Sequence, residues 1–190
     1  STKNVVILLP QINLGGTEIH VQKLVQRMSR SGRYSFYCLV LSDKKSCDQD
    51  LISHFETISN GVFFLNISLN IPRIVFELLK IRLKGIDILH SFNYNDVKWD
   101  LLVYLCLGSP RLITERRNNN HWRRKNTLSN YEKVRNMWTS CVISNSSLVL
   151  RKTQSLERLN CQTHVIYNGI VPGEFRQMNA FNRLLCVGNL

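Results

Sequence analysis

Short apolar runs alternate with longer stretches of helical periodicity along most of the chain. Runs at 4–10, 35–41, 62–65, 86–91, 111–114, 140–143 and 163–166 predict strands. Several are continuously apolar, as in Val5-Val6-Ile7-Leu8-Leu9. That pattern suits a parallel sheet covered on both faces better than a sheet with one wet face. Between the runs, apolar residues recur every three or four positions at 17–31, 48–58, 72–83, 97–107, 127–138 and 146–159, and predict helices. Strands alternating with helices imply an α/β, Rossmann-like, doubly wound parallel sheet, with a site at the C-terminal ends of its strands. Local signals agree. Thr17 with Glu18 suits a helix start, Asn145 or Ser146 suits a cap, and Pro72 suits a first helical turn.

The alternation breaks near the C-terminus. Asn168-Gly169 and Pro172-Gly173 are turn signals, Glu174 to Asn182 is polar, and Leu184-Leu185-Cys186-Val187 begins a fresh apolar run. The expected organisation is a domain over 1–170, a linker over 171–183, and over 184–190 the first strand of a second domain in a longer protein.

Composition narrows the classes. With 190 residues, 44% hydrophobic and 20% charged, the chain supports a packed core and does not read as disordered. A net charge of +12 favours anionic partners. The six cysteines have no C-x-x-C spacing, which removes the common zinc and redox motifs. Cys38, Cys106, Cys141 and Cys186 lie in apolar runs and read as buried thiols in a reducing compartment. The longest clean apolar run, Leu101 to Leu107, is too short to span a bilayer. The N-terminus has no signal-peptide pattern, so a cytoplasmic location is expected.

Five places could carry chemistry. The loop Leu14-Gly15-Gly16-Thr17-Glu18 sits between a strand and a helix, where backbone N–H groups at a helix N-terminus bind anions. It matches neither G-x-G-x-x-G nor the P-loop, and a tight turn alone would also explain it. Asp43, after the second strand, could mimic a ribose-binding acid, with nothing beside it in support. In Asp87-Ile88-Leu89-His90-Ser91-Phe92-Asn93, His90 stands at a strand end; a structural histidine is the plainer alternative. The segment from Thr114 to Lys125 places Glu115 beside Arg116, Arg117, Arg123, Arg124 and Lys125, with Trp122 among them. A carboxylate there can position a sugar hydroxyl and arginine suits phosphate oxygens, although a solvated basic loop has the same composition. Ile143-Ser144-Asn145-Ser146 and Val165-Ile166-Tyr167-Asn168-Gly169-Ile170 are strand ends followed by small polar residues.

Taken in order, these pieces resemble the N-terminal domain of retaining, GT-B-fold glycosyltransferases of family 4, the group 1 glycosyltransferases. Gly15-Gly16-Thr17-Glu18 resembles the family's G-G-x-E loop, and Asp87 to Asn93 its D-[VI]-[VI]-H-x-H strand end. Thr114 to Asn118 is similar to its S-E-R-N strand end, and Ile143 to Ser146 to its V-x-N-S step. Ile166 to Ile170 resembles I-P-N-G-[VI], and Leu185 to Leu190 the V-G-R-L opening of the second domain. The chain departs from the pattern at Phe92, which replaces a histidine, at Glu115 or Arg116, where many members carry a histidine, and at Asn189, which replaces an arginine.

The resemblance implies two Rossmann-like domains with a cleft between them. It implies a sugar moved from a nucleotide-sugar donor to a glycan or lipid-diphosphate acceptor, with no metal and no cofactor. Gly15, Gly16 and Thr17 would approach the donor phosphate. Glu115 and Arg116 would be catalytic, and His90, Asn93, Asn118, Asn145 and Asn168 would line the acceptor side of the cleft. The main donor residues would lie in the second domain, so these 190 residues alone are expected to be inactive. The implied setting is surface polysaccharide or glycolipid assembly. The basic loop 116–125 would face an anionic membrane at its inner face, or the lipid-linked acceptor. Two other classes compete. A non-catalytic module for phosphorylated ligands or nucleic acid fits the charge, but only Trp122 interleaves with the basic residues, so nucleic acid is disfavoured. A nicotinamide oxidoreductase lacks its glycine fingerprint.

Overall fold

Seven of the apolar runs fold as strands: β1 (Lys3–Leu9), β2 (Tyr34–Val40), β3 (Val62–Phe64), β4 (Ile88–Ser91), β5 (Arg111–Arg116), β6 (Thr139–Ser144) and β7 (Gln162–Val165). Among the described residues six α-helices join them: α1 (Gly16–Ser29), α2 (Gln49–Ile58), α3 (Ile71–Arg82), α4 (Val97–Cys106), α5 (Asn130–Trp138) and α6 (Ser147–Leu156). The computed structural model describes residues 2–67, 70–93, 96–117 and 128–169. The expected linker over 171–183 and strand over 184–190 lie outside the described residues.

The strands form one parallel sheet in the order β3-β2-β1-β4-β5-β6-β7. The chain runs outward from β1 to β3, then returns to β4 on the other side of β1 and runs outward again. With right-handed crossovers, this reversal puts α1 and α2 on one face and α3 to α6 on the other. Two cores follow. Val5, Ile7 and Leu9 of β1 pack with Val21, Val25, Ile52 and Phe55 under α1 and α2. Val6 and Leu8 point the other way, onto Ile74, Leu78, Ile81, Trp99 and Val103. Burial on both faces is why the first strand reads as an unbroken apolar run.

Element ends depart from the sequence expectation for identifiable reasons. Strand β1 stops before Pro10, which has no N–H for the ladder. Strand β4 begins at Ile88 because the Asp87 carboxylate turns back to accept from Asn4 N at 2.9 Å and Lys3 Nζ at 2.8 Å. Strand β5 runs past Thr114 to Arg116, since Glu115 and Arg116 register with Ile143 and Ser144 of β6. Helix α1 is not capped by Thr17. Its N-cap is Gly15, and Thr17 lies inside the first turn. Asp43 accepts from Lys45 N as the cap of a short 3₁₀ turn over Lys44–Ser46. Ser146, not Asn145, caps α6 through Val149 N.

Of the cysteines, Cys38, Cys47 and Cys141 are buried thiols while Cys106 and Cys161 are half-exposed, all of them free. Burial pushes the Cys38 thiol up to about 12, so it stays protonated. Among the described residues no helix is long and apolar enough to cross a membrane.

Leu78 is fully buried between α3 and the sheet. Leu78→Ala should cost about 2–5 kcal/mol of stability. Denaturant unfolding is the check; a loss under about 1 kcal/mol would mean that this face of α3 packs less tightly than described.

Candidate functional site

The reversal in strand order places the C-terminal ends of β1 and β4 side by side, which is where open α/β sheets form their crevice. Strand alternation then decides which side chains meet. Ile88, His90 and Phe92 face the α1 side, whereas Leu89 and Ser91 face α3 and α4. On β5, Glu115 and the following Arg117 share the α1 side with His90, while Arg116 points to the other.

On the α1 side, Glu115 is clamped. His90 Nε2 lies 3.2 Å from its Oε1, and Arg117 Nε donates to its Oε2 at 3.1 Å. Burial alone would raise the Glu115 carboxyl. The His90 hydrogen bond and the charges of His90, Arg117 and His20 outweigh it and hold the group below its ordinary value of 4.5. The ring of Phe92 lies 4.5 Å from that of His90, tilted by 35°, and the Arg117 guanidinium sits 5.3 Å above the Phe92 ring. His20, from the second turn of α1, lies 6.4 Å from Phe92 on another side. Burial and Arg117 push the His20 imidazole below its ordinary value, with Glu115 opposing.

In the first turn of helix α1, Glu18 feels the charge of Arg117, which ties the helix start to this cluster. Gly15 is extended, with φ −149° and ψ 164°, and supplies no side-chain cap. Around Gly16 a Cβ would meet no atom within 4 Å, so the space is open. At Gly15 the Oε2 of Glu18 stands 2.5 Å from the Cβ position. Burial raises the Glu18 carboxyl, its own backbone N–H and Arg117 oppose the rise, and the net shift is upward.

The opposite face holds a second charge system. Arg116 pairs with Glu157 at 2.8 Å and donates to Asn136 Oδ1 at 3.2 Å. Glu157 is 1% exposed and Arg116 7%. Nearby, Asp100 accepts from Ser91 at 2.9 Å, Asn93 at 3.1 Å and Arg135 at 3.4 Å. Burial, with Arg116 close by, pulls the Arg135 guanidinium down to about 10, which leaves it cationic at neutral pH.

The expected site residues therefore separate. His90, Glu115 and the Gly15–Thr17 turn converge on one side of the sheet end. Arg116 and Asn93 are turned away, the latter donating to Asp96 O at 2.8 Å and to Asp100. Asn145 reaches across from β6 and donates to Arg117 O at 3.1 Å. Asn168 is exposed and lines a groove with Gly16, Ile19, His20 and Tyr167. Asn118, and with it most of the basic loop including Trp122, lies outside the described residues. His20 joins the cluster without a motif to announce it. Its only signal is its place one helical turn beyond Gly16.

Comparison with known proteins bears on the family and the fold. The family model described as Glycosyltransferase Family 4 matches residues 14–174. No curated protein matches the chain in sequence. Among solved structures, HepE of Anabaena in complex with UDP is similar at a TM-score of 0.60 and 18% identity, covering 88% of this chain and 44% of that one. Acinetobacter baumannii MurG is similar at 0.53 and 12% identity, covering 90% and 47%. Phytolacca americana UGT2, complexed with UDP-2fluoro-glucose and pterostilbene, is similar at 0.52 and 10% identity, covering 92% and 56%. At these identities the likeness is one of fold, and the chain spans about half the length of each of these proteins.

Two outcomes test the cluster. The folded value of Glu115 lies below its ordinary value, so the unfolded chain takes up the proton first as pH falls. The stability it supplies is full above pH 4.5 and is lost as pH drops through the folded value. Glu115→Gln should flatten the acid limb of the stability curve, and parallel limbs would contradict the clamp. Glu157→Ala strands the buried Arg116 charge and should cost about 3–5 kcal/mol in denaturant unfolding. A cost under about 1 kcal/mol would show that water or another group takes its place.

Proposed function

The chain belongs to glycosyltransferase family 4, and we propose that it forms the half of a nucleotide-sugar glycosyltransferase that bears the acceptor. The family match over residues 14–174 is the observation that carries the reading. The glycine start of α1, with open space around Gly16, and the Glu115 clamp support it.

In the proposed reaction the bond from the sugar anomeric carbon to the donor diphosphate breaks. A bond to an acceptor hydroxyl oxygen forms on the same face, and the hydroxyl proton leaves with the diphosphate. Charge grows on the departing diphosphate, so the donors that matter are those aimed at it. The first-turn N–H groups of α1 behind Gly15 and Gly16 are placed for that task, together with the positive end of the helix dipole. Both oxygens of Glu115 are engaged, one by His90 and one by Arg117. The carboxylate therefore serves to hold His90 and Arg117 in place beside the acceptor. A glycan or lipid-linked acceptor fits on this side, and a net charge of +12 supports a peripheral position on an anionic membrane.

The donor side belongs to a second domain, so the test uses the intact enzyme. Gly16→Trp should lower kcat/KM at least about tenfold by filling the diphosphate approach, since a tenfold change needs only about 1.4 kcal/mol. The open space around Gly16 lets the fold survive, so the unfolding midpoint should stay with that of the parent. Unchanged donor turnover would refute the role of the loop.

A further inference from the structure

Arg117 is held from three directions, and one edge of its side chain is left unused. Asn145 Nδ2 donates to its carbonyl at 3.1 Å, its own Nε donates to Glu115 Oε2 at 3.1 Å, and the guanidinium lies 5.3 Å above the Phe92 ring. The Arg117 side chain is 12% exposed and that of Glu115 5%. Phe92 is buried. A guanidinium carries N–H donors on Nε, Nη1 and Nη2. Nε is used by Glu115, and among the described residues no group accepts from Nη1 or Nη2. Donors of a cation held mostly out of water are costly to leave without an acceptor.

The surroundings say what the acceptor is. Glu115 is shared between Arg117 and His90, so one carboxylate serves two partners. The other acid that feels Arg117 is Glu18, whose carboxyl is raised by burial and whose Oε2 is turned back toward Gly15. From α1, His20 and Lys23 add no negative charge. A sugar hydroxyl would satisfy one N–H and leave the charge uncompensated. A phosphate supplies both at once, because Nη1 and Nη2 are spaced to meet two of its oxygens.

We propose that Nη1 and Nη2 of Arg117 take two oxygens of a substrate phosphate, while Glu115 and Phe92 hold the guanidinium in place for it. The inference rests on the glycosyltransferase reading and adds a side-chain contact from the end of β5 to the first-turn amides of α1. It moves the cationic role from Arg116, which pairs with Glu157 on the opposite face, to the next residue. Phe92 becomes a positioning residue. Standing where the family pattern has a histidine, it gives up a donor of its own and supports that of Arg117.

The first experiment titrates the full chain with inorganic pyrophosphate at low ionic strength, a measurement that needs no sugar transfer. Arg117→Gln should weaken binding at least about tenfold, the loss expected for a hydrogen bond to a charged group. Arg117→Lys keeps a cation beside Glu115 but not the fork; its unfolding midpoint should match the parent, and it should still bind more weakly. Phe92→Leu keeps an apolar side chain in the core and should lose about two- to fivefold as the ring beneath the guanidinium goes. Absence of pyrophosphate binding by the parent, or parent-like affinity in both Arg117 variants, would overturn the proposal. A loss on Lys23→Gln/Arg27→Gln that spares Arg117→Gln would overturn it too, by placing the anion in the groove along α1. The second experiment measures the intact enzyme with Arg117→Lys. A raised KM for the nucleotide-sugar assigns the phosphate to the donor, a raised KM for a lipid-diphosphate acceptor assigns it to the acceptor, and parent-like kinetics for both would overturn the contact. Failure of the glycosyltransferase reading is a different result, absence of transfer by the parent enzyme, and the pyrophosphate titration decides the role of Arg117 without it.

Discussion

The period-two alternation of strands buried on both faces decides what every charged residue at the top of this sheet can do. On β5, neighbouring residues are sent to opposite sides: Glu115 to His90 and Arg117, Arg116 to Glu157 and Asn136. On β4 the same rule separates His90 from Ser91, and Ser91 meets Asp100. A buried charge without a partner is expensive, so each face must complete its own pairing. Two charge systems result, one residue apart in sequence and separated by the thickness of the sheet. One faces the mouth beside α1. The other ties α4, α5 and the end of α6 to the strand ends.

That division clarifies the chemistry. Arg116 is the cation next to Glu115 in sequence, yet the cation on its carboxylate is Arg117. Spacing along an extended strand favours the i+2 neighbour over the i+1 neighbour, because only the former shares its face. Phe92, which stands where the family pattern has a second histidine, contributes a ring that His90, His20 and Arg117 all approach. The position has lost a polar group and gained a platform that holds three cationic or titratable side chains in register.

Much of the fold was legible because the signals were redundant. Continuous apolar runs, helical periodicity and short polar connections all pointed to one alternating architecture, and elements were displaced mostly by a few residues at their ends. Ends that moved did so where a side chain competed with the backbone, as Asp87 does at β4. Helix α6 stops at Leu156 where Glu157 turns inward to Arg116, a partner 41 residues away that no local pattern could announce. The site was legible in part for the same reason. His90, Glu115 and the glycine turn carry motif-like surroundings. His20 has none, since its role comes from a helix laid across strands that are distant in sequence.

The caps show how the fold keeps one end of the sheet available. Helices α2, α3, α5 and α6 begin with Asp48, Asn70, Ser129 and Ser146, each accepting from a first-turn N–H. Helices α1 and α4 begin with Gly15 and Asp96 and have no such bond. A side-chain cap stabilises a helix by about 1 kcal/mol relative to alanine, and a glycine cap such as Gly15 gives up only a few tenths of that. The two helices that omit it are those following β1 and β4, the strands on either side of the reversal in strand order. Elsewhere the chain spends side chains on closing its helix starts. At the crevice the N-cap residues supply no side-chain bond, and in α1 it is the Glu18 carboxylate that reaches its own first-turn amide, a place that suits an anion.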